Sequence, residues 1–338
     1  MKVSKGFVRF NWIALVLIYL VVVAGSFVRI TGSGMGCPDW PRCFGEWVPP
    51  TDKSELPEDY KDIYANKREK KITKFTKFLH AIGLDETADK IESDPNLLIE
   101  ENFNARKTWT EYINRLFGFL AGDALLIAFL WLLLKYRKRK LIIISAINLV
   151  LMAVQAWFGS IVVASNLVPW TITVHMFLAL LIIGIQIYFI RLISPSQQLN
   201  LQFPKWMKTL IVVCFLITIY QMFLGTQVRE YIDELTIKGI GREGWTDELG
   251  LPFFIHRSFS WLVLILLTIV AWKNERGPKF ASVRWVYICL ALELISGVLL
   301  AYADMPGLVQ TSHLVFATII FGILTMVVFR AKTVTSVA

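Results

Sequence analysis

Three of the four histidines lie inside strongly apolar runs of the chain, at positions 175, 256 and 313. An ionisable side chain within a membrane helix is costly, so it indicates a functional role. His256 and His313 each lie near one end of a run, roughly 6–9 Å below the membrane surface at 1.5 Å per residue. Because neutral imidazole is a common axial ligand of haem iron, we predict that these two residues bind one haem. The alternative is a pair of histidines that only hydrogen-bond between helices.

The first half of the chain carries a related but unequal set of residues. His175 corresponds to His313, whereas Asn114, a poor iron ligand, stands where the second half has His256. Glu111 precedes Asn114 by three residues and therefore lies on the same helix face. This pattern predicts an open haem site beside a carboxylate, which is where chemistry can occur. The alternative is that Glu111 only forms a helix ion pair with Arg115.

Four arginines lie near the same ends of the apolar runs: Arg29, Arg115, Arg229 and Arg257. A guanidinium group fits a carboxylate bidentately, so these residues are candidates for binding haem propionates. Each of them could equally extend towards the membrane interface to keep its charge in water.

Two cysteines, Cys37 and Cys43, flank a short segment that contains two prolines. We place this segment on the outer, oxidising side of the membrane, where we expect the two residues to form a disulfide. A zinc site would need two further ligands, and the neighbouring sequence offers none. The spacing leaves open whether the disulfide is structural or redox-active.

These residues require membrane-spanning helices to position them. The chain is 55% hydrophobic, and its apolar residues collect in runs of about 20 residues, long enough to cross a ~30 Å hydrocarbon layer. We predict an all-α integral membrane protein. The predicted spans are 9–29, 109–134, 141–164, 169–191, 207–228, 252–272, 283–303 and 307–329.

The net charge of +9 is explained by the distribution of lysine and arginine around the spans. Most of these residues fall in segments that lie inside if the N-terminus is cytoplasmic, and the three short outer loops carry only Arg229, Lys238 and Arg242. We therefore predict that both termini are cytoplasmic and expect no nucleic-acid partner. The long loop 30–107 is predicted outside and mostly helical from 57 to 92. Its His80 is interpreted as a surface residue.

Spans one to four and five to eight are predicted to be copies of one unit. The longest match pairs, without a gap, Gln155, Gly159, His175, Ala179 and Gly184 with Glu293, Gly297, His313, Ala317 and Gly322. An even number of spans in each copy gives both copies the same orientation. We therefore predict two pseudo-symmetric four-helix bundles, formed by residues 1–200 and 201–338.

The motifs resemble those of the haem A synthase family (Cox15/CtaA). The resemblance is carried by the segment 29–34 after the first span, by Cys37 and Cys43 with Trp40 between them, and by the three membrane histidines. The segment 111–115 resembles the family motif Glu-x-x-His-Arg, with Asn114 in place of the usual histidine. This departure puts in question any mechanism that needs two histidine ligands in the first half.

The resemblance implies oxidation of the C8 methyl group of haem O to a formyl group, which yields haem A for terminal oxidases. It implies haem b as the cofactor of the C-terminal half, between His256 and His313. The N-terminal half would receive haem O next to His175, Asn114, Arg115 and Arg29. The family's functional carboxylate corresponds to Glu111.

The resemblance also implies a location and partners. The protein would be a multi-pass protein of the inner (cytoplasmic) membrane, with its haem sites near the outer face. Its partners would be membrane lipid, haem O synthase, cytochrome oxidase assembly proteins and an electron donor. Two other functions remain open from the residues, a cytochrome b-like electron carrier and a haem transporter.

Overall fold

A computed structural model describes residues 3–39, 42–93, 95–100, 102–164, 169–195 and 200–333. Within these residues, eight helices are long and apolar enough to span a membrane, so the chain is a multi-pass membrane protein. The helices in chain order are α1 (Lys5–Ile30), α2 (Tyr60–Ala81), α3 (Asp85–Glu92), α4 (Ala105–Trp131), α5 (Arg139–Ala164), α6 (Pro169–Ile193), α7 (Lys205–Ile237), α8 (Arg242–Glu248), α9 (Leu251–Glu275), α10 (Ala281–Tyr302) and α11 (Gly307–Arg330). All except α2, α3 and α8 are membrane spans.

The spanning helices satisfy their backbone hydrogen bonds internally, as a hydrocarbon environment requires. Their ends carry local capping signals. The Ser4 hydroxyl accepts from the Phe7 amide at 3.2 Å, and the Asn104 side chain accepts from the Lys107 amide at 3.2 Å. Helix α4 continues through a π turn, Leu132–Tyr136, and stops at Arg137, whose φ of 50° is left-handed.

Each half of the chain packs its four spans in sequence order. In the first half α1 contacts α4, α4 contacts α5, α5 contacts α6, and α6 contacts α1. In the second half α7, α9, α10 and α11 contact one another in the same cyclic order. The halves meet where α11 packs against α1 and α6, and a shared apolar cluster there includes Ile183, Ile187, Met222 and Phe321. The division into domains 1–200 and 201–338 stays a prediction.

The long loop between α1 and α4 folds as a small helical layer, as predicted for 57–92. Helices α2 and α3 pack on each other and α2 reaches α5. Their cluster, which includes Ile72, Leu79 and Ile91, also contacts Phe158 on α5. His80 is exposed and its Nδ1 lies 2.7 Å from Asp85 Oδ1, which agrees with its interpretation as a surface residue.

The fifth span is longer than predicted. It was expected to end at residue 228, but α7 continues to Ile237. The charged residues that follow Val228 suggested a helix end. However, Ile232 and Leu235 continue the helical spacing and are buried in one cluster with Trp245 and Leu249 of the following segment. Burial of this amphipathic extension stabilises the helix beyond the hydrocarbon layer.

Two short strands, which were not predicted from the sequence, pair at the end of the helix bundle opposite the candidate haem residues. β1 (Leu201–Phe203) and β2 (Ala331–Thr333) pair in parallel, with Leu201 beside Ala331. The connection between α6 and α7 therefore lies next to the segment that follows α11. This places both segments at one face of the helix bundle, as an even number of intervening spans requires.

Candidate functional site

The C-terminal half brings His256 and His313 together. His256 on α9 and His313 on α11 are partly buried, their ring centroids lie 6.4 Å apart, and their planes meet at 76°. A metal–imidazole bond of about 2 Å, with the ring nitrogen about 1 Å from the centroid, gives roughly 6 Å between two axial rings. The separation and the donor atoms therefore fit a bis-histidine haem. The His256 Nδ1 atom is buried and has no hydrogen-bond partner among the described residues.

Polar groups of α10 surround the His313 ring. The Ser296 Oγ atom lies 2.9 Å from His313 Nδ1, and it also donates to the Glu293 carbonyl at 2.8 Å. The Glu293 carboxylate oxygen Oε1 lies 3.2 Å from His313 Nε2. Glu293 corresponds to Gln155 in the repeat, and Glu293 was not predicted as a site residue.

The N-terminal half holds His175 in a less polar setting. The Phe158 ring stacks on the His175 ring with centroids 6.4 Å apart and planes at 19°. The Gln155 side chain donates to the His175 carbonyl at 3.0 Å. Within the part of the chain that the structure describes, neither His175 Nδ1 nor Asn114 Oδ1 has a partner, although both atoms are buried. The unpaired Asn114 oxygen suits a site that is completed by a ligand.

Each of the four candidate ligand residues packs against a glycine of a neighbouring helix. A Cβ atom on Gly159 would lie 3.1 Å from His175 Cε1, and one on Gly225 would lie 3.2 Å from His256 Cε1. A Cβ atom on Gly297 would lie 3.4 Å from His313 Cε1, whereas one on Gly25 would lie 3.7 Å from Asn114 Oδ1. The same ring-on-glycine arrangement in both halves agrees with the repeat found in the sequence.

Glu111 lies under the cysteine loop. Its side chain is 2% exposed, forms an ion pair with Arg115, and accepts a hydrogen bond from the Cys37 amide at 2.7 Å. Arg115 donates to the carbonyls of Cys37 and Asp39, each at 2.5 Å. The ion pair that the alternative interpretation of Glu111 requires is therefore present, and it is part of a larger network that binds the loop to α4.

The cysteine loop is closed by the Cys37–Cys43 disulfide, with the two Cα atoms 5.2 Å apart. Gly36 packs directly on α4, since a Cβ atom there would lie 2.6 Å from the Lys107 backbone carbon. The Thr108 hydroxyl donates to the Gly36 carbonyl at 2.8 Å. Trp40 lies outside the described residues.

Two of the candidate propionate ligands share one carboxylate. Arg29 on α1 pairs with Asp233 at 2.5 Å, and Arg229 on α7 pairs with the same residue at 2.9 Å. Arg229 also donates to Gln310 on α11 at 2.6 Å. Asp233 was not predicted as a site residue, because it lies beyond the predicted end of the fifth span. Arg257 is exposed.

A family model for cytochrome oxidase assembly proteins, COX15-CtaA, matches residues 8–325. The chain belongs to this family. The match extends from the first span into the last and includes every candidate site residue named above.

Several family relatives resemble the chain along nearly their full length. The heme A synthase of Wolbachia sp. subsp. Brugia malayi (strain TRS) is 25% identical over 95% of this chain and 95% of its own. The heme A synthase of Ehrlichia canis (strain Jake) is 24% identical over 93% of this chain and 90% of its own. That of Nitrosospira multiformis is 22% identical, over 94% and 91%. The predicted membership of the Cox15/CtaA family is confirmed.

Proposed function

We propose that this protein is a haem A synthase, which oxidises the C8 methyl group of haem O to a formyl group by successive hydroxylation. The observation that carries the proposal is the family match over residues 8–325. Full-length similarity to heme A synthases of several bacteria supports it. Replacing –CH3 by –CHO removes four electrons from the substrate and adds one oxygen atom, so the enzyme is an oxidoreductase.

The C-terminal half is proposed to hold haem b between His256 and His313. The 6.4 Å separation of the two rings supports this assignment. If bound there, such a haem would be held by His256 and His313 and would supply one-electron transfer. Arg229 and Arg257 are the proposed partners of its propionates. Of these two, Arg229 already lies in a network with Asp233 and Gln310.

The N-terminal half is proposed to receive haem O. His175 would hold the haem iron, and Asn114, a poor iron ligand, would add little to its binding, which suits a substrate that must leave as product. Arg115 and Arg29 are proposed to act near its propionates. The buried and unpaired side-chain oxygen of Asn114 supports a ligand site between these helices.

Glu111 is proposed to position the substrate or to relay protons as its methyl group is oxidised. It precedes Asn114 by about one helical turn and therefore lies on the same face of α4. Its burial and its bond to the Cys37 amide place the cysteine loop over this carboxylate. The same contacts also support the alternative, in which Glu111 only holds the loop through Arg115.

We also propose that the protein lies in the inner membrane with both termini cytoplasmic and the haem sites near the outer face. The distribution of lysine and arginine supports this orientation. Haem O is the proposed substrate, and haem O synthase, cytochrome oxidase assembly proteins and an external electron donor are the proposed partners.

The proposal is tested by producing the protein in cells that supply haem O and separating the extracted haems by chromatography. A haem A synthase yields haem A. An electron carrier or a haem transporter leaves haem O unchanged, so unchanged haem O would overturn the proposal. A pyridine haemochrome spectrum of the purified protein identifies the resident haem in the same preparation.

The role of Glu111 is tested by comparing Glu111→Gln with Arg115→Gln in the same cells. If the carboxylate acts in the reaction, Glu111→Gln retains haem b but accumulates haem O or a hydroxylated intermediate. Arg115→Gln breaks the same ion pair and keeps the carboxylate, so it controls for loss of the loop contact. Normal haem A production by Glu111→Gln, with only a lower melting temperature, would contradict a role in the reaction.

A further inference from the structure

Ser296 makes two hydrogen bonds that together determine its donor and acceptor roles. Its hydroxyl donates to the Glu293 carbonyl at 2.8 Å, one helical turn earlier on α10, and its Oγ atom lies 2.9 Å from His313 Nδ1. A serine hydroxyl has one proton and two lone pairs. With its proton directed to the Glu293 carbonyl, the Ser296 oxygen presents a lone pair to His313 Nδ1, which favours the His313 tautomer that carries its proton on Nδ1.

This arrangement decides which nitrogen of His313 is available to a metal. A neutral imidazole with its proton on Nδ1 has a free lone pair on Nε2. The Nε2 atom faces the Glu293 carboxyl group at 3.2 Å, and that group would accept a hydrogen bond from Nε2–H in the other tautomer. Ser296 and Glu293 therefore favour opposite tautomers of His313, and only the tautomer favoured by Ser296 leaves Nε2 free to bind a metal.

The equivalent position in the first half is Phe158. The gapless match that pairs His175 with His313 also pairs Phe158 with Ser296. The Phe158 ring stacks on the His175 ring, and His175 Nδ1 has no hydrogen-bond partner among residues that the structure describes. The two histidines therefore occupy matched positions, but only His313 has an acceptor for its Nδ1 proton.

We propose that Ser296 is a positioning residue that holds His313 in its metal-binding tautomer, whereas Phe158 leaves His175 without this support. The consequence is a firmly held resident haem in the C-terminal half and an exchangeable substrate haem in the N-terminal half. This inference rests on the proposed assignment of haem b to His256 and His313. It attributes the different exchange of the two haems to a single difference, serine next to His313 and phenylalanine next to His175.

The expected effect follows from the general behaviour of residues behind metal ligands. An acceptor for the second ring nitrogen fixes the orientation of the imidazole and raises its basicity, and loss of such a partner costs 10–100-fold in metal affinity. A more basic ligand also favours ferric over ferrous iron. Removing the Ser296 hydroxyl should therefore speed haem loss about 10–100-fold and shift the haem midpoint potential upwards.

The test measures haem transfer from the purified protein to apomyoglobin, together with the midpoint potential of the resident haem. Ser296→Ala should lose haem faster and titrate at higher potential, and Ser296→Thr, which retains the hydroxyl, should restore both properties. In the N-terminal half, Phe158→Ser should slow the release of haem O relative to Phe158→Ala. That alanine variant controls for the cavity because it removes the ring without adding an acceptor.

The outcomes separate this inference from the function on which it rests. If His313→Ala leaves the haem spectrum unchanged, the assignment of haem b is wrong. If His313→Ala removes the low-spin haem while Ser296→Ala keeps wild-type release and potential, the role of Ser296 is refuted. If Ser296→Ala speeds haem release at an unchanged potential, and Ser296→Thr does not restore wild-type release, Ser296 has a packing role only. This result would also refute its positioning role.

Discussion

Gly225→Ala should weaken retention of the C-terminal haem by displacing the ring of His256. An added Cβ atom would lie 3.2 Å from His256 Cε1, whereas carbon atoms in contact prefer about 3.5–4.0 Å. The ring must therefore move by roughly 0.3–0.8 Å, because the contact is with the ring itself and not with a flexible chain end. A shift of this size is comparable to the roughly 0.5 Å tolerance of a functional site.

The magnitude follows from two opposing contributions. Overpacking costs about 1–3 kcal/mol, and replacing glycine by alanine within a helix returns about 0.5–1 kcal/mol. The net cost is about 0–2.5 kcal/mol with a midpoint near 1.2 kcal/mol, and if the ligand geometry bears it, this midpoint corresponds to roughly 8-fold weaker haem binding. The protein should still insert, because α7 gains helix propensity.

The assay is the ratio of haem to protein after purification, with dissociation rates measured by transfer to apomyoglobin. Gly25→Ala is the matched control, since Gly25 holds the equivalent position on α1. Its added Cβ atom would lie 3.7 Å from Asn114 Oδ1, which is ordinary contact. The reasoning is refuted if Gly225→Ala retains haem like the wild type, or if Gly25→Ala loses as much of it.

Three further outcomes are expected. Asp233→Asn removes the carboxylate shared by two partly buried arginines and should cost about 1–3 kcal/mol, seen as a lower melting temperature in detergent; unchanged melting would contradict this. Cys43→Ser should make Cys37 alkylatable in non-reduced membranes, where the wild-type pair resists alkylation. The hydrogen bond to Asp85 raises the pKa of His80 above its ordinary value. While Asp85 is ionised, the stabilisation from this pair is therefore full below the ordinary pKa of histidine and is lost as the pH rises through the raised pKa. An NMR titration in which Asp85→Asn leaves that pKa unchanged would refute this.

The membrane spans could be predicted because hydrocarbon thickness and backbone hydrogen bonding leave few alternatives to an apolar helix of about 20 residues. The extension of α7 to Ile237 could not, because its burial depends on Trp245 and Leu249 from the next segment. The pairing of β1 with β2 joins segments separated by four spans, so no local pattern indicates it.

The candidate ligands were visible in the sequence because histidine is rare and costly in an apolar run. The surroundings of these ligands could not be predicted from the sequence. The glycines that face the rings, the hydroxyl of Ser296 behind His313 and the sharing of Asp233 by two arginines all depend on the contacts between helices. Glu111 was identified from its spacing to Asn114, but its bond to the Cys37 amide depends on the path of the loop over α4.

The central claim is that the C-terminal half retains haem b and the N-terminal half converts haem O. The most direct test is the haem content of His175→Ala and His313→Ala, each purified from cells that supply haem O. His175→Ala should retain the low-spin haem b and produce no haem A, whereas His313→Ala should lose the low-spin haem b while the protein still inserts. Loss of haem b from His175→Ala, with retention by His313→Ala, would contradict the account and reverse the assignment of the two halves.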